Sequence, residues 1–83
     1  NLSITLSPNP VRNIIGISSS VSVTNAVIRI ADITGKTVYT SRANLFAGTR
    51  FTIDASAFAG GVYFVTVQSS AGKQVIKLVK EQE

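Results

Sequence analysis

Apolar and polar residues alternate with a period of two along almost the whole chain, and Gly, Pro, Asn or Ser clusters interrupt the alternation about every ten residues. Leu2, Ile4 and Leu6 alternate with polar neighbours and then meet Ser7-Pro8-Asn9-Pro10. The prolines end pairing there and bias Ser7 and Asn9 away from helix. The same pattern predicts strands near 2–7, 13–19, 26–33, 36–42, 49–54, 61–69 and 73–80. Their Val, Ile, Thr and Phe content agrees with that assignment. No stripe at helical spacing competes, so an all-β sandwich or small barrel is expected.

Two hairpins stand out. In VIRIADITGKTVYTS, Asp32 can accept backbone N–H groups ahead of it, and Gly35 can adopt the left-handed conformation that closes a three-residue loop. That loop sets Asp32 opposite Lys36, Ile30 opposite Val38 and Arg29 opposite Tyr39. Ile28, Ile30 and Val38 then share the core face. Burial of each aliphatic is worth about 1.5–3 kcal/mol, against about 1 kcal/mol or less for an exposed cross-strand pair, so the aliphatics decide the facing. In GVYFVTVQSSAGKQVIKLVK, a two-residue turn at Ala71-Gly72 sets Tyr63, Val65 and Val67 against Ile76 and Leu78, with Lys77 outside beside Thr66. A three-residue loop would place Lys77 opposite Val65 and bury an ammonium group. Between the hairpins, Phe51 and Ile53 alternate. Asp54 or Ser56 is then positioned to cap one helical turn, and Phe58 to plug the core. Gly60-Gly61 lacks the following Lys-Ser/Thr and helix of a phosphate loop and reads as a bend that needs no Cβ.

Composition narrows the function. At 83 residues, 45% hydrophobic and 14% charged, the chain has apolar material for one core, and 1–83 is expected to be a single domain. The absence of Met suggests a piece of a longer polypeptide. No apolar run approaches the ~20 residues of a transmembrane helix, and no signal-peptide pattern opens the chain. Cys and His are both absent, which removes disulfides, thiolate chemistry and the usual zinc, copper and acid–base ligands. The net charge of +4 comes from dispersed Lys and Arg, with only Lys73, Lys77 and Lys80 close together, so solvated sheet faces are expected and no nucleic-acid site.

The four carboxylates are Asp32 at a turn, Asp54 at a strand end, and Glu81 and Glu83 in a charged tail. Nothing in their spacing forces a pair together, no loop holds two acids for calcium, and the serines have no His base. Neither an enzyme nor a cofactor or metal site is expected. Tyr39 and then Phe46 are the aromatics to consider for a sugar platform. Tyr39 packed against Arg29 and Phe46 filling a loop is the favoured arrangement, and Trp is absent.

The order and spacing of SPNP, IADITGKTVYT and GGVYFVTVQSSAGKQVIKLVK resemble the type A C-terminal sorting domain of the type IX secretion system of Bacteroidetes, over Leu2 to Lys80. The resemblance implies an immunoglobulin-like antiparallel β-sandwich of about seven strands at the C-terminus of a secreted cargo. It implies partners: the type IX translocon and shuttle proteins of the outer membrane, a sortase-like signal peptidase, and the N-terminal cargo in cis. It also implies removal near or upstream of Asn1, with cargo at the cell surface, where it can be attached to anionic lipopolysaccharide, or outside the cell.

Carried over by position, the translocon-recognition residues are Pro8, Asn9 and Pro10, Asp32 and Gly35, Gly61 and Tyr63, and Lys77, Leu78, Val79 and Lys80. The extension Glu81-Gln82-Glu83 departs from the pattern, since many members stop sooner. Lys77 and Lys80 on an edge strand either protect it from random pairing or offer charge to a partner. The competing class is a fibronectin-like spacer or carbohydrate-binding module of a secreted enzyme.

Overall fold

The computed structural model describes residues 3–7, 13–70 and 72–81. The Pro8-Asn9-Pro10 element therefore lies outside the described residues, as does Ala71. Seven strands follow in order: β1 (Ile4–Ser7), β2 (Ile14–Ser19), β3 (Val23–Asp32), β4 (Thr37–Leu45), β5 (Arg50–Asp54), β6 (Gly61–Ser69) and β7 (Gly72–Lys80). They form two antiparallel sheets, β1-β2-β5 and β4-β3-β6-β7, packed as an immunoglobulin-like sandwich.

Alternation explains the core. Ile4 and Leu6, Ile15 and Ile17, and Ile53 point inward from the smaller sheet, against Ile28 and Ile30, Val65 and Val67, and Leu78 from the larger one. Ile15, Ile17, Ile28, Ile30, Val65, Val67 and Leu78 are essentially fully buried. Each contributes about 1.5–3 kcal/mol from its burial.

Two bulges correct the expected register of β3 and β4. Val23 pairs with Leu45 but Ala26 pairs with Ala43, so β3 carries one extra residue there. Asn25 absorbs it at φ 55°, a left-handed conformation that Asn tolerates better than most side chains. Its N–H is accepted by Asn44 Oδ1 at 3.1 Å. Pairing therefore continues past the polar stretch that suggested a strand start at 26.

The second bulge is at Val38. Ala31 pairs with Thr37 while Ile30 pairs with Tyr39, leaving Val38 as the extra residue of β4. The expected pairs Ile30–Val38 and Arg29–Tyr39 are thus overturned: Arg29 faces Thr40. Val38 is 37% exposed, and Tyr39 turns inward and packs against the core. A one-residue bulge exchanges the two faces of everything beyond it.

In the last hairpin Tyr63 pairs with Leu78, Val65 with Ile76 and Ser69 with Gly72. The closing pair lies one residue earlier than the expected turn, so Lys77 faces Phe64 rather than Thr66. Parity is preserved, and Lys77 is exposed as expected. The crossing from β5 to β6 contains a turn and no helix: Phe58 N–H reaches the Ala55 carbonyl at 3.0 Å, and Asp54 accepts the Ser56 N–H at 2.9 Å. Phe58 is half-buried against the core, as its position suggested.

Candidate functional site

The described residues carried over from the sorting-domain pattern converge on one end of the larger sheet. Asp32, Tyr63 and Leu78 form one row across β3, β6 and β7, and Gly61 pairs with Lys80 at the strand ends. Phe64 and Lys77 make the row behind, and Gly35 sits on the hairpin just beyond Asp32. Their roles separate into those that build this end and those that a partner could touch.

Asp32 builds. Its Oδ1 accepts the Thr34 hydroxyl, the Thr34 N–H at 3.0 Å and the Lys36 N–H at 3.1 Å. Its own N–H reaches the Lys36 carbonyl at 2.9 Å, and its carbonyl accepts the Gly35 N–H at 3.0 Å. The Thr34 hydroxyl, then the two backbone N–H groups and the Lys36 charge, hold its carboxyl below the ordinary value, opposed in part by desolvation. Gly35 closes the loop at φ 93°, where a Cβ is disfavoured. Asp54 is likewise lowered, by its hydrogen bonds from Ser56.

Gly61 and Tyr63 also build. Gly61 opens β6 at φ 150°, outside the range of most L side chains. Two residues on, the Tyr63 ring is buried, tilted 36° against Phe58 at a centroid distance of 5.6 Å. Its hydroxyl donates to the Ala59 carbonyl at 2.6 Å. A Tyr hydroxyl returned to backbone a few residues upstream stitches a sandwich corner to its core. The Gly-x-Tyr element is thus a corner fastening.

On β7 the alternation turns Leu78 and Lys80 inward and Lys77 and Val79 outward. The expectation that Lys77 and Lys80 both present charge on the edge is corrected for Lys80. It is only 6% exposed, its stem covers the end of the core, and its ammonium donates to the Glu81 carbonyl at 3.2 Å. Lys77 remains at the surface with Val79, flanked by Val75, which is 54% exposed. Val75 was missed in the sequence, although the register that turns Ile76 and Leu78 inward already turns it out.

Among the described residues β7 is the outermost strand of its sheet and pairs only with β6. Tyr39 is withdrawn into the sandwich, while Phe46 is 54% exposed instead of filling its loop. The two do not make a common platform, since they lie on different elements and Tyr39 faces inward. Among the described residues no group of three or more acids or metal-binding side chains comes together, and no helix is long and apolar enough to cross a membrane.

Comparison with known proteins accounts for this arrangement. The sequence matches the secretion system C-terminal sorting domain over residues 5–81, so the chain belongs to that family, the sorting domains of type IX secretion. Among solved structures it is similar to PorZ of Porphyromonas gingivalis, described as an essential bacterial surface component of the type IX secretion system. The TM-score is 0.70 at 19% identity, over 96% of this chain and 12% of that one. It is also similar to dimeric latent PorU of the same organism, with a TM-score of 0.69 at 22% identity, over 99% of this chain and 9% of that one. At these identities the likeness concerns the fold, and the chain spans about a tenth of the length of either protein. No curated protein matches the sequence.

Proposed function

We propose that this chain is an export label, read as a folded domain by the type IX translocon and its shuttle proteins at the outer membrane and carried in cis behind an N-terminal cargo. A sortase-like peptidase then removes it near or upstream of Asn1, with the cargo anchored at the surface or released. The chain acts as substrate throughout and supplies no catalytic group. Residues 1–83 form the label as one unit.

One observation carries the reading: β7, outermost of its sheet among the described residues, shows the Lys77 and Val79 side chains at the sheet end where Asp32, Gly35, Gly61 and Tyr63 fix the backbone. Outward side chains on a strand held in register give a partner a fixed surface to read, Lys77 by charge and Val79 by apolar contact. The family match and the likeness to two type IX proteins support the system in which this happens.

A reporter fused ahead of residue 1 in a type IX-competent cell tests the proposal. The reporter is expected at the surface or in the medium without the domain, and removal of Val75 to Glu83 is expected to hold it in the periplasm. Because that truncation also removes core residues, Lys77→Glu with Val79→Asp supplies the surface-only variant. Export is expected to fall about tenfold with the melting temperature unchanged, as two repulsive contacts in a docked interface imply. Unchanged export by this folded variant overturns the assignment to β7.

A further inference from the structure

The export reading uses Lys77 and Val79 at one end of the larger sheet's outward face and leaves the rest of that face without a role. The charged outward positions of that face are Arg42 on β4, Arg29 on β3, and Lys73 and Lys77 on β7, and none of the four strands places an acid there. The pairing register sets them in adjoining rows. Arg42, Val27, Gln68 and Lys73 lie in one row across the sheet, and Arg29 lies opposite Thr66 in the next. A groove of about 210 Å³ opens between them, lined by Val27, Arg29, Thr66, Gln68 and Lys73. Val27 and Thr66 are half-buried on its floor, while Arg29, Gln68 and Lys73 are exposed on its banks.

We propose that this groove docks an extended acidic segment of a partner protein, seating a carboxylate between Arg29 and Lys73 and an apolar neighbour on Val27. The chemistry follows from the lining: a guanidinium and an ammonium on opposite banks, with amide and hydroxyl donors from Gln68 and Thr66 between them. The extent of positive charge selects a chain over a single small anion. Arg42 and Lys73 stand three strand spacings apart, about 14 Å, and an extended segment repeats its same-side carboxylates about every 7 Å. The concavity selects against a membrane, because a planar headgroup layer cannot enter a groove whose floor is aliphatic. This inference goes beyond the export reading and does not depend on it.

The test is a nuclear magnetic resonance titration of the full 83-residue chain with acetyl-Asp-Val-Asp-Val-Asp-Val-amide, its Asn-for-Asp counterpart, inorganic phosphate, and phosphatidylglycerol vesicles. Shifts are expected at Val27, Arg29, Thr66, Gln68 and Lys73 with the acidic peptide and not with the Asn peptide. Arg29→Glu with Lys73→Glu is expected to weaken binding about tenfold or more, while Lys36→Gln on the distant hairpin leaves it unchanged. Raised salt is expected to weaken it as well. Equal binding of the two peptides overturns the proposal, as does a response confined to the three-stranded sheet. Saturation by phosphate at the same concentrations, or binding of vesicles without binding of peptide, also overturns it.

Discussion

Replacing Tyr63 with Phe removes one hydroxyl from a buried ring and leaves the Ala59 carbonyl without its 2.6 Å partner. The loss is expected to be about 1 kcal/mol, read as a lower urea midpoint with an unchanged m-value. Asp32 makes a different prediction, in pH. Its carboxyl is held below the ordinary value of 3.8, so its stabilisation is complete above that value and disappears as pH falls through the lower folded-state value. Asp32→Asn is therefore expected to melt below the wild type at neutral pH and to converge with it only once pH has fallen through the lowered folded-state value, where the native carboxyl is also neutral. A difference that persists unchanged at the acid end would place Asp32's contribution in shape and not in charge. Both side chains were visible in the sequence through their neighbours: an acid three residues before a glycine, and a tyrosine two residues after one. Lys80 was harder to place, because the residue type argues for the surface while its parity with Leu78 argues for the interior. Parity won, since one long stem can cover the core and still carry its ammonium to a carbonyl.

At the scale of elements, strand order in the chain was legible because aliphatic alternation fixes one buried face. The bulges were not. Nothing in the local pattern distinguishes Val38 as the extra residue of β4, for Val38 and Tyr39 both suit a strand. The choice is made by which of them meets Ile30 across the ladder, a non-local condition. The smaller sheet contains a close approach that was equally invisible. A Cβ on Gly16 of β2 would run into the guanidinium of Arg50, which crosses over this glycine to donate to the Ser7 carbonyl at 2.8 Å. Gly16→Ala is expected to displace Arg50 and cost about 1 kcal/mol. In an Arg50→Ala background the same change is expected to be neutral or stabilising, because a strand glycine is then simply replaced by a residue with lower chain entropy. A double-mutant cycle measured by chemical denaturation gives the coupling directly. Additive effects would mean that Gly16 and Arg50 do not share the space.

For the molecule as a whole, one core holds two sheets together with no covalent staple, so the proposed reading of a folded label makes export depend on the stability of that core. Ile28→Ala, at a fully buried centre of the larger sheet, is expected to cost about 2–5 kcal/mol. In a domain this small that is a large share of the total. Export of a fused reporter is expected to fall in step with the folded fraction, measured by melting of the purified domain. Full export by an unfolded domain would show that a linear segment suffices. β1 and β7 sit in different sheets yet lie side by side, joined by Gln74 Oε1 accepting the Ile4 N–H at 2.9 Å. On the proposed export reading, with cargo ahead of β1 and a grip on β7, tension would not run along one ladder that can unzip bond by bond. It would cross the sandwich through the packed side chains of both sheets, so that the load would be shared by the core and the domain would serve as a tow point.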